Sequence, residues 1–216
     1  MNINILIADN HGILRQGIAS LIEQQGDMKV VGQAENGIQA LELSRQLRPN
    51  LIIMAVTMPI LNGMEATRQI KKEMPEIKVL ALSAHAKREF VLGMIKAGVS
   101  GYMVKECVLD DLVRAIEAVM NDQSYLSPQI ASIVLNDITK DGFFDISRKW
   151  NEPLTPRERQ ILQLLTEGFP AKQIASQLGL SVKTIEANRR QIMEKTDVDN
   201  LVDLTKYAIR QGLTTV

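Results

Sequence analysis

Between residues 3 and 120, five short apolar runs alternate with five stretches of helical periodicity, and that alternation leaves few folds open. The runs are Ile3–Ala8, Met28–Ala34, Leu51–Ala55, Val79–Ser83 and Gly101–Val104. The third, Leu51-Ile52-Ile53-Met54-Ala55, lies between Pro49-Asn50 and the Pro59…Asn62-Gly63 turn. It is short and apolar on both faces, as a strand buried in a parallel sheet must be. Ile13, Leu14, Ile18, Leu21 and Ile22 recur at helical spacing before Gly26, and Ala40, Leu41, Leu43 and Leu47 do so before Pro49. Met64–Met74, Phe90–Ala97 and Leu109–Met120 complete the set. Loops of a few residues join these segments, so the pattern predicts βαβ units with right-handed crossovers. The fold class is therefore α/β, a doubly wound five-stranded parallel sheet with helices on both faces.

In such sheets chemistry collects beyond the carboxyl ends of the strands. Asp9 and Asn10 follow the first strand, Ala55 and Thr57 the third, and Ser83 the fourth; Tyr102 and Lys105 flank the end of the fifth. Each has an ordinary reading by itself: Lys105 as a solvated charge, Ser83 as a helix cap. Their placement at successive strand ends makes them a candidate site. The centre of that site is Ala55, whose methyl group carries no lone pair and cannot act as a nucleophile. Thr57, two residues on, points the wrong way and is too weak a nucleophile to replace one.

From Asn121 to Pro153 the periodicity loosens. Ser127 before Pro128 predicts a helix through about Asn136. Phe143, Phe144 and Trp150 follow among polar residues and are more aromatic than a free tether requires. They are expected to dock on one domain's surface, or else to clamp two domains together.

The last segment changes character. Thr155, Pro156 and Glu158 spell a capping box that opens a helix with Ile161, Leu162, Leu164 and Leu165 on its apolar face. Ala171–Leu178, the Gly179-Leu180 turn, a Ser181 cap and Val182–Lys195 then give short helix, turn and capped helix, which is the helix-turn-helix arrangement. Val182, Ile185 and Ile192 are expected on the buried side of the second helix. Lys183, Thr184, Glu186, Asn188, Arg189, Arg190 and Gln191 point elsewhere, and all can hydrogen-bond. A solvated amphipathic face has the same charges, but the motif puts these residues where major-groove base edges are read. A final helix, from about Asn200 to Gln211, carries Leu201, Leu204 and Ala208 on one stripe. The domains are thus residues 1–121, a linker at 122–152 with one helix, and 153–216.

Lys and Arg number 25 against 25 Asp and Glu, a balance that neither suggests nor excludes nucleic acid, because binding needs only a local basic patch. The single Cys107 cannot pair within the chain, which favours a reducing compartment. With no long apolar run and no signal pattern, a soluble cytoplasmic protein without membrane contact is expected.

Residues 1–120 resemble the receiver domain of two-component response regulators. The resemblance rests on the loop containing Asp9, the Met58-Pro59…Asn62-Gly63 turn, Ser83-Ala84, Gly101-Tyr102 and Lys105. It implies that an aspartate on the third strand would accept a phosphoryl group from a histidine kinase, at the position held here by Ala55. Two acids after the first strand would hold Mg²⁺, and the second is Asn10. Ser83 would contact the phosphoryl group, Lys105 would pair with its charge, and Tyr102 would change rotamer. Residues 150–216 are similar to the LuxR-type DNA-binding domain of the NarL/FixJ regulators, through Leu154-Thr155-Pro156-Arg157-Glu158, Lys172-Gln173-Ile174-Ala175 and Ser181–Glu186. By that resemblance Lys183 and Thr184 contact phosphates, Glu186, Ala187 and Arg190 face bases, and Arg189 reaches backbone or solvent. Family members often carry Thr-His in place of Ala187-Asn188 and Leu in place of Thr196. The Leu201/Leu204/Ala208 stripe would serve dimerisation, or equally packing within the domain.

The expectation is a dimeric, non-enzymatic regulator of promoter DNA with no cofactor. Any Mg²⁺ at Asp9 should be weakly held, because one carboxylate remains of three. Ala55 is either a natural departure or an engineered block of phosphorylation, and a cognate histidine kinase is implied only in the second case. Asn10, a second loss in the same pocket, favours the first. The alternatives are an interaction module with little DNA binding, or a receiver that uses another phosphoacceptor.

Overall fold

The computed structural model describes residues 2–84, 86–140 and 154–214. The chain forms two compact units, residues 1–144 and 145–216. In the first, β1 (Ile3–Ala8), α1 (Gly12–Glu23), β2 (Met28–Ala34), α2 (Gly37–Leu47), β3 (Leu51–Ala55), α3 (Gly63–Glu73), β4 (Lys78–Ser83), α4 (Arg88–Ala97), β5 (Gly101–Val104) and α5 (Val108–Met120) alternate as expected. β6 (Tyr125–Leu126) and α6 (Pro128–Lys140) follow. The strands pair in parallel in the order β2-β1-β3-β4-β5-β6. Alternation of side chains divides the core between the two faces. On one face Ile5, Ile7, Ile53, Leu80, Leu82 and Met103 pack on Ile18 and Ile22 of α1 and on Leu112, Ile116 and Val119 of α5.

The sheet has six strands among the described residues, one more than the five expected. Tyr125 and Leu126 are too short a run to show a period, but they pair with Gly101 and Tyr102 along the open edge of β5. The Ser127 amide donates to the Tyr102 carbonyl (3.1 Å), continuing that edge. The expected linker helix begins at Pro128, as its sequence predicts, and extends to Lys140. Its Ser127 hydroxyl, however, is buried without a hydrogen bond among the described residues, so Ser127 does not cap it through the side chain. Ile130 is fully buried, and Arg88 of α4 is ion-paired to Asp137 of α6, so this part of the connector belongs to the first unit. Phe143, Phe144 and Trp150 lie outside the described residues.

The second unit contains α7 (Pro156–Thr166), α8 (Ala171–Leu178), α9 (Val182–Thr196) and α10 (Leu201–Arg210). Ile161, Leu162, Leu164, Ile174, Ile185, Ile192, Leu204 and Ala208 are completely buried, and Leu154, Leu165, Ala175 and Leu213 nearly so. Val182 departs from expectation: it is the first residue of α9 and is exposed rather than buried. Ile13 in the first turn of α1 and Leu201 at the start of α10 are exposed too.

Candidate functional site

Strand register brings the strand-end residues together. Ala8 lies opposite Met54, so Asp9 and Ala55 leave neighbouring strands side by side. Ser83 lies opposite Val104, which places it beside the residue preceding Lys105. The loop after β3 is drawn tight: the Gly63 amide donates to the Val56 carbonyl (2.9 Å), and a Cβ on Gly63 would come within 1.9 Å of the Ala55 carbonyl oxygen. Only glycine admits so close an approach of backbone to backbone.

Asp9 is the remaining carboxylate of the pocket, and it is 1% exposed. Its Oδ2 accepts from the Lys105 ammonium at 2.5 Å. Its Oδ1 accepts from the His11 amide at 2.8 Å and lies 3.0 Å from His11 Nδ1. Arg15 closes the loop, donating to the Asp9 carbonyl (2.5 Å) and to Glu35 (2.8 Å). Asn10 is exposed, while Ala55 is buried and Thr57 half-buried. Both Asp9 oxygens are thus held by groups of the protein itself.

Mg²⁺ requires near-octahedral oxygen ligation anchored by carboxylates. No group of three or more His, Cys, Asp or Glu side chains among the described residues can hold a metal ion, and both oxygens of the lone candidate are occupied by donors. The residues present do not fit the ion. Tyr102 is fully buried on the sheet face that carries Ser83 and has no hydrogen bond of ordinary geometry for its hydroxyl among the described residues. Burial pushes its phenol up to about 12, with the Ser83 side chain partly opposing that effect.

In the second unit the expected capping box is present: the Glu158 amide donates to Thr155 Oγ1 (3.3 Å), and the Thr155 amide donates to Glu158 Oε2 (2.7 Å). Sequence reasoning missed that the same carboxylate receives Lys195 of α9, at 2.7 and 2.9 Å. Burial pushes the Glu158 carboxyl up, but the Lys195 and Thr155 hydrogen bonds outweigh it and hold the group below its ordinary range. Arg157 donates to the Leu178 carbonyl (2.7 Å), satisfying the end of α8 before the Gly179 turn, where φ is +63°. Two charged residues of α7 therefore fix the ends of α8 and α9.

The Ser181 hydroxyl accepts from the Thr184 amide (3.0 Å) and lies 2.8 Å from the Thr184 hydroxyl. Between them these two hydroxyls keep one hydrogen for a further acceptor. Lys183, Glu186, Ala187 and Arg190 are exposed along α9, and Lys183 and Arg190 form no ion pair among the described residues. Arg189 lies 4.0 Å from Glu186. Asn188 is turned back onto the helix, donating to the Thr184 carbonyl at 2.8 Å.

Comparison with known proteins places both units. Residues 5–117 match the response regulator receiver domain family, and residues 152–208 match the bacterial regulatory proteins of the luxR family. The chain is a LuxR-type response regulator. It is 35% identical over 211 residues to the response regulator GacA of Pseudomonas protegens, covering 98% of this chain and 97% of that one. It is 31% identical over 211 residues to the transcriptional regulatory protein MctR of Rhizobium johnstonii, covering 98% and 95%. Among solved structures, RcsB of Salmonella enterica serovar Typhimurium bound to a promoter with the phosphomimetic BeF₃⁻ superposes with a TM-score of 0.62 at 25% identity, over 99% of this chain and 100% of that one. The regulator is thus a DNA-binding transcription factor of this family, and α9 is the second helix of its helix-turn-helix. No helix among the described residues is long and apolar enough to cross a membrane. Of the stripe on α10, Leu204 and Ala208 are fully buried within the unit, the alternative of packing within the domain, while Leu201 is exposed beside Val202.

Proposed function

We propose that the regulator binds promoter DNA as a homodimer and that its receiver works without phosphoryl transfer at the third-strand position. The observation that carries this reading is the Lys105 ammonium seated on Asp9, in a pocket whose central residue is Ala55. A methyl group cannot attack phosphorus. The charge repulsion that makes a cluster of carboxylates attract a cation is gone, and the regulator's own lysine neutralises what is left. Asn10 is a second change in this pocket, which a single designed substitution at 55 would not produce, so the departure is natural and no cognate kinase acts at this position. Control then enters through the amount of protein, its dimerisation, or a partner or ligand at the receiver.

On the DNA side, Lys183 and the Ser181/Thr184 hydroxyl pair contact phosphates, while Glu186, Ala187 and Arg190 face base edges. Arg189 is shared between Glu186 and the backbone, and Asn188 shapes the helix. The exposed pair Leu201 and Val202 is the apolar surface offered to a second copy. Solved structures of RcsB include dimers bound to DNA, which supports this arrangement. A gel shift of the full chain on its own promoter tests the reading. Salt-sensitive binding that is lost with Arg190→Ala and unchanged by acetyl phosphate with Mg²⁺ is expected. Binding tightened by acetyl phosphate would contradict the receiver assignment, and absent binding would favour an interaction module.

A further inference from the structure

Val182 is the first residue of α9, directly after the Ser181 cap, and it is 45% exposed. The other isoleucines and valines facing the core of this helix, Ile185 and Ile192, are completely buried. Nothing in the helical core therefore accounts for a branched apolar side chain at this point. A helix repeats its faces at i, i+4 and i+8, so Val182 stands in line with Glu186 and Arg190, both exposed. Lys183 stands beside it without an ion pair among the described residues, and the Ser181/Thr184 hydroxyl pair lies one residue away. Apolar, acidic and basic groups are thus presented together along the first nine residues of the helix.

We infer that Val182 is a sequence-reading residue that packs against the 5-methyl group of a thymine in the major groove. This inference rests on α9 being the helix that enters the groove, where the first residues of a recognition helix reach base edges. Thymine's methyl is the apolar group that a base pair displays there, so it is the partner that matches an isopropyl group in chemistry. The bases adjoining that thymine along the groove fall to Glu186 and Arg190. A second copy of the chain is a poorer match for Val182, because the neighbouring Lys183 and Arg190 would bring unpaired positive charge into a protein interface.

The test uses the full chain and duplexes that it selects from a random pool. Each thymine of the selected site is replaced in turn by deoxyuridine, which lacks only the methyl group, and the dissociation constant is measured for the unsubstituted protein and for Val182→Ala. One thymine in each half-site should respond: its replacement weakens the unsubstituted protein about fourfold, the worth of one buried methyl group. The same replacement should leave Val182→Ala almost unaffected. Lys183→Ala serves as the contrast, weakening every duplex alike and lowering the salt dependence. If Val182→Ala keeps the same thymine profile as the unsubstituted protein, or if no thymine responds, the Val182 assignment is wrong while DNA binding stands. If no duplex is enriched at all, the groove-entry reading of α9 fails with it.

Discussion

Replacing Lys105 by methionine is the sharpest perturbation of the strand-end pocket. Asp9 is 1% exposed and the Lys105 side chain 15%, so the pair is held largely out of water. Without the ammonium, Asp9 Oδ2 loses its 2.5 Å partner, and the His11 amide and ring serve only Oδ1. Removing one member of a buried ion pair costs about 3–5 kcal/mol, and the surviving His11 contacts place Lys105→Met near the lower bound, about 3 kcal/mol. Asp9→Asn leaves a lysine that can turn towards solvent on its long stem, so its cost is about 1 kcal/mol. The double variant should then resemble Asp9→Asn alone, about 1 kcal/mol where the singles sum to about 4, a coupling of about 3 kcal/mol. Hydrogen exchange of β1 and β5 amides in the full chain, across a denaturant series, reads this unit separately from the helical one. Single effects that add within about 0.5 kcal/mol would show that the two side chains do not act as a pair.

Three further outcomes follow from the geometry. Glu158→Gln should destabilise the helical unit by about 2 kcal/mol, because a charged hydrogen bond to Lys195 is lost. Since the folded carboxyl is held low, Glu158 contributes stability above its unfolded value of about 4.3 and loses it as pH falls through the lower folded value. Thermal melts of the unsubstituted chain should therefore drop over that acid window, and those of Glu158→Gln should drop less. Ile60 sits at φ +70°, a left-handed conformation that a β-branched residue adopts only under strain, so Ile60→Gly should raise the receiver's stability by about 0.5–1 kcal/mol in the same exchange experiment. Arg88→Ala should release α6 from α4, seen as faster exchange of α6 amides, with the charge-swapped pair Arg88→Asp/Asp137→Arg restoring protection.

Much of this was legible in the residues because it depends on local chemistry. The buried run Leu51–Ala55 could only be an inner parallel strand, and the Thr155/Glu158 box and the Ser181 cap form the hydrogen bonds their spacing requires. What escaped depends on contacts between distant segments. Nothing near Glu158 in the sequence announces Lys195, 37 residues on; Asp9 and Lys105, 96 residues apart, were legible as sharing the strand-end site but not as an ion pair. Tyr125–Leu126 became a sixth strand through the free edge of β5, a tertiary opportunity that two residues cannot advertise. Val182 was misplaced because apolar periodicity says which residues share a face but not where the core beneath that face ends. In the candidate site, the resemblance to receivers is what implied that an acid and a phosphoacceptor would stand where Asn10 and Ala55 are; that Lys105 sits on Asp9 needed the fold.

Intact-mass measurement of the full chain after incubation with acetyl phosphate and Mg²⁺, beside a phosphorylatable receiver as positive control, tests the central claim most directly. The regulator should keep its original mass while the control gains one phosphoryl group. A phosphoryl adduct localised to residues 1–120 of the unsubstituted chain would contradict the account.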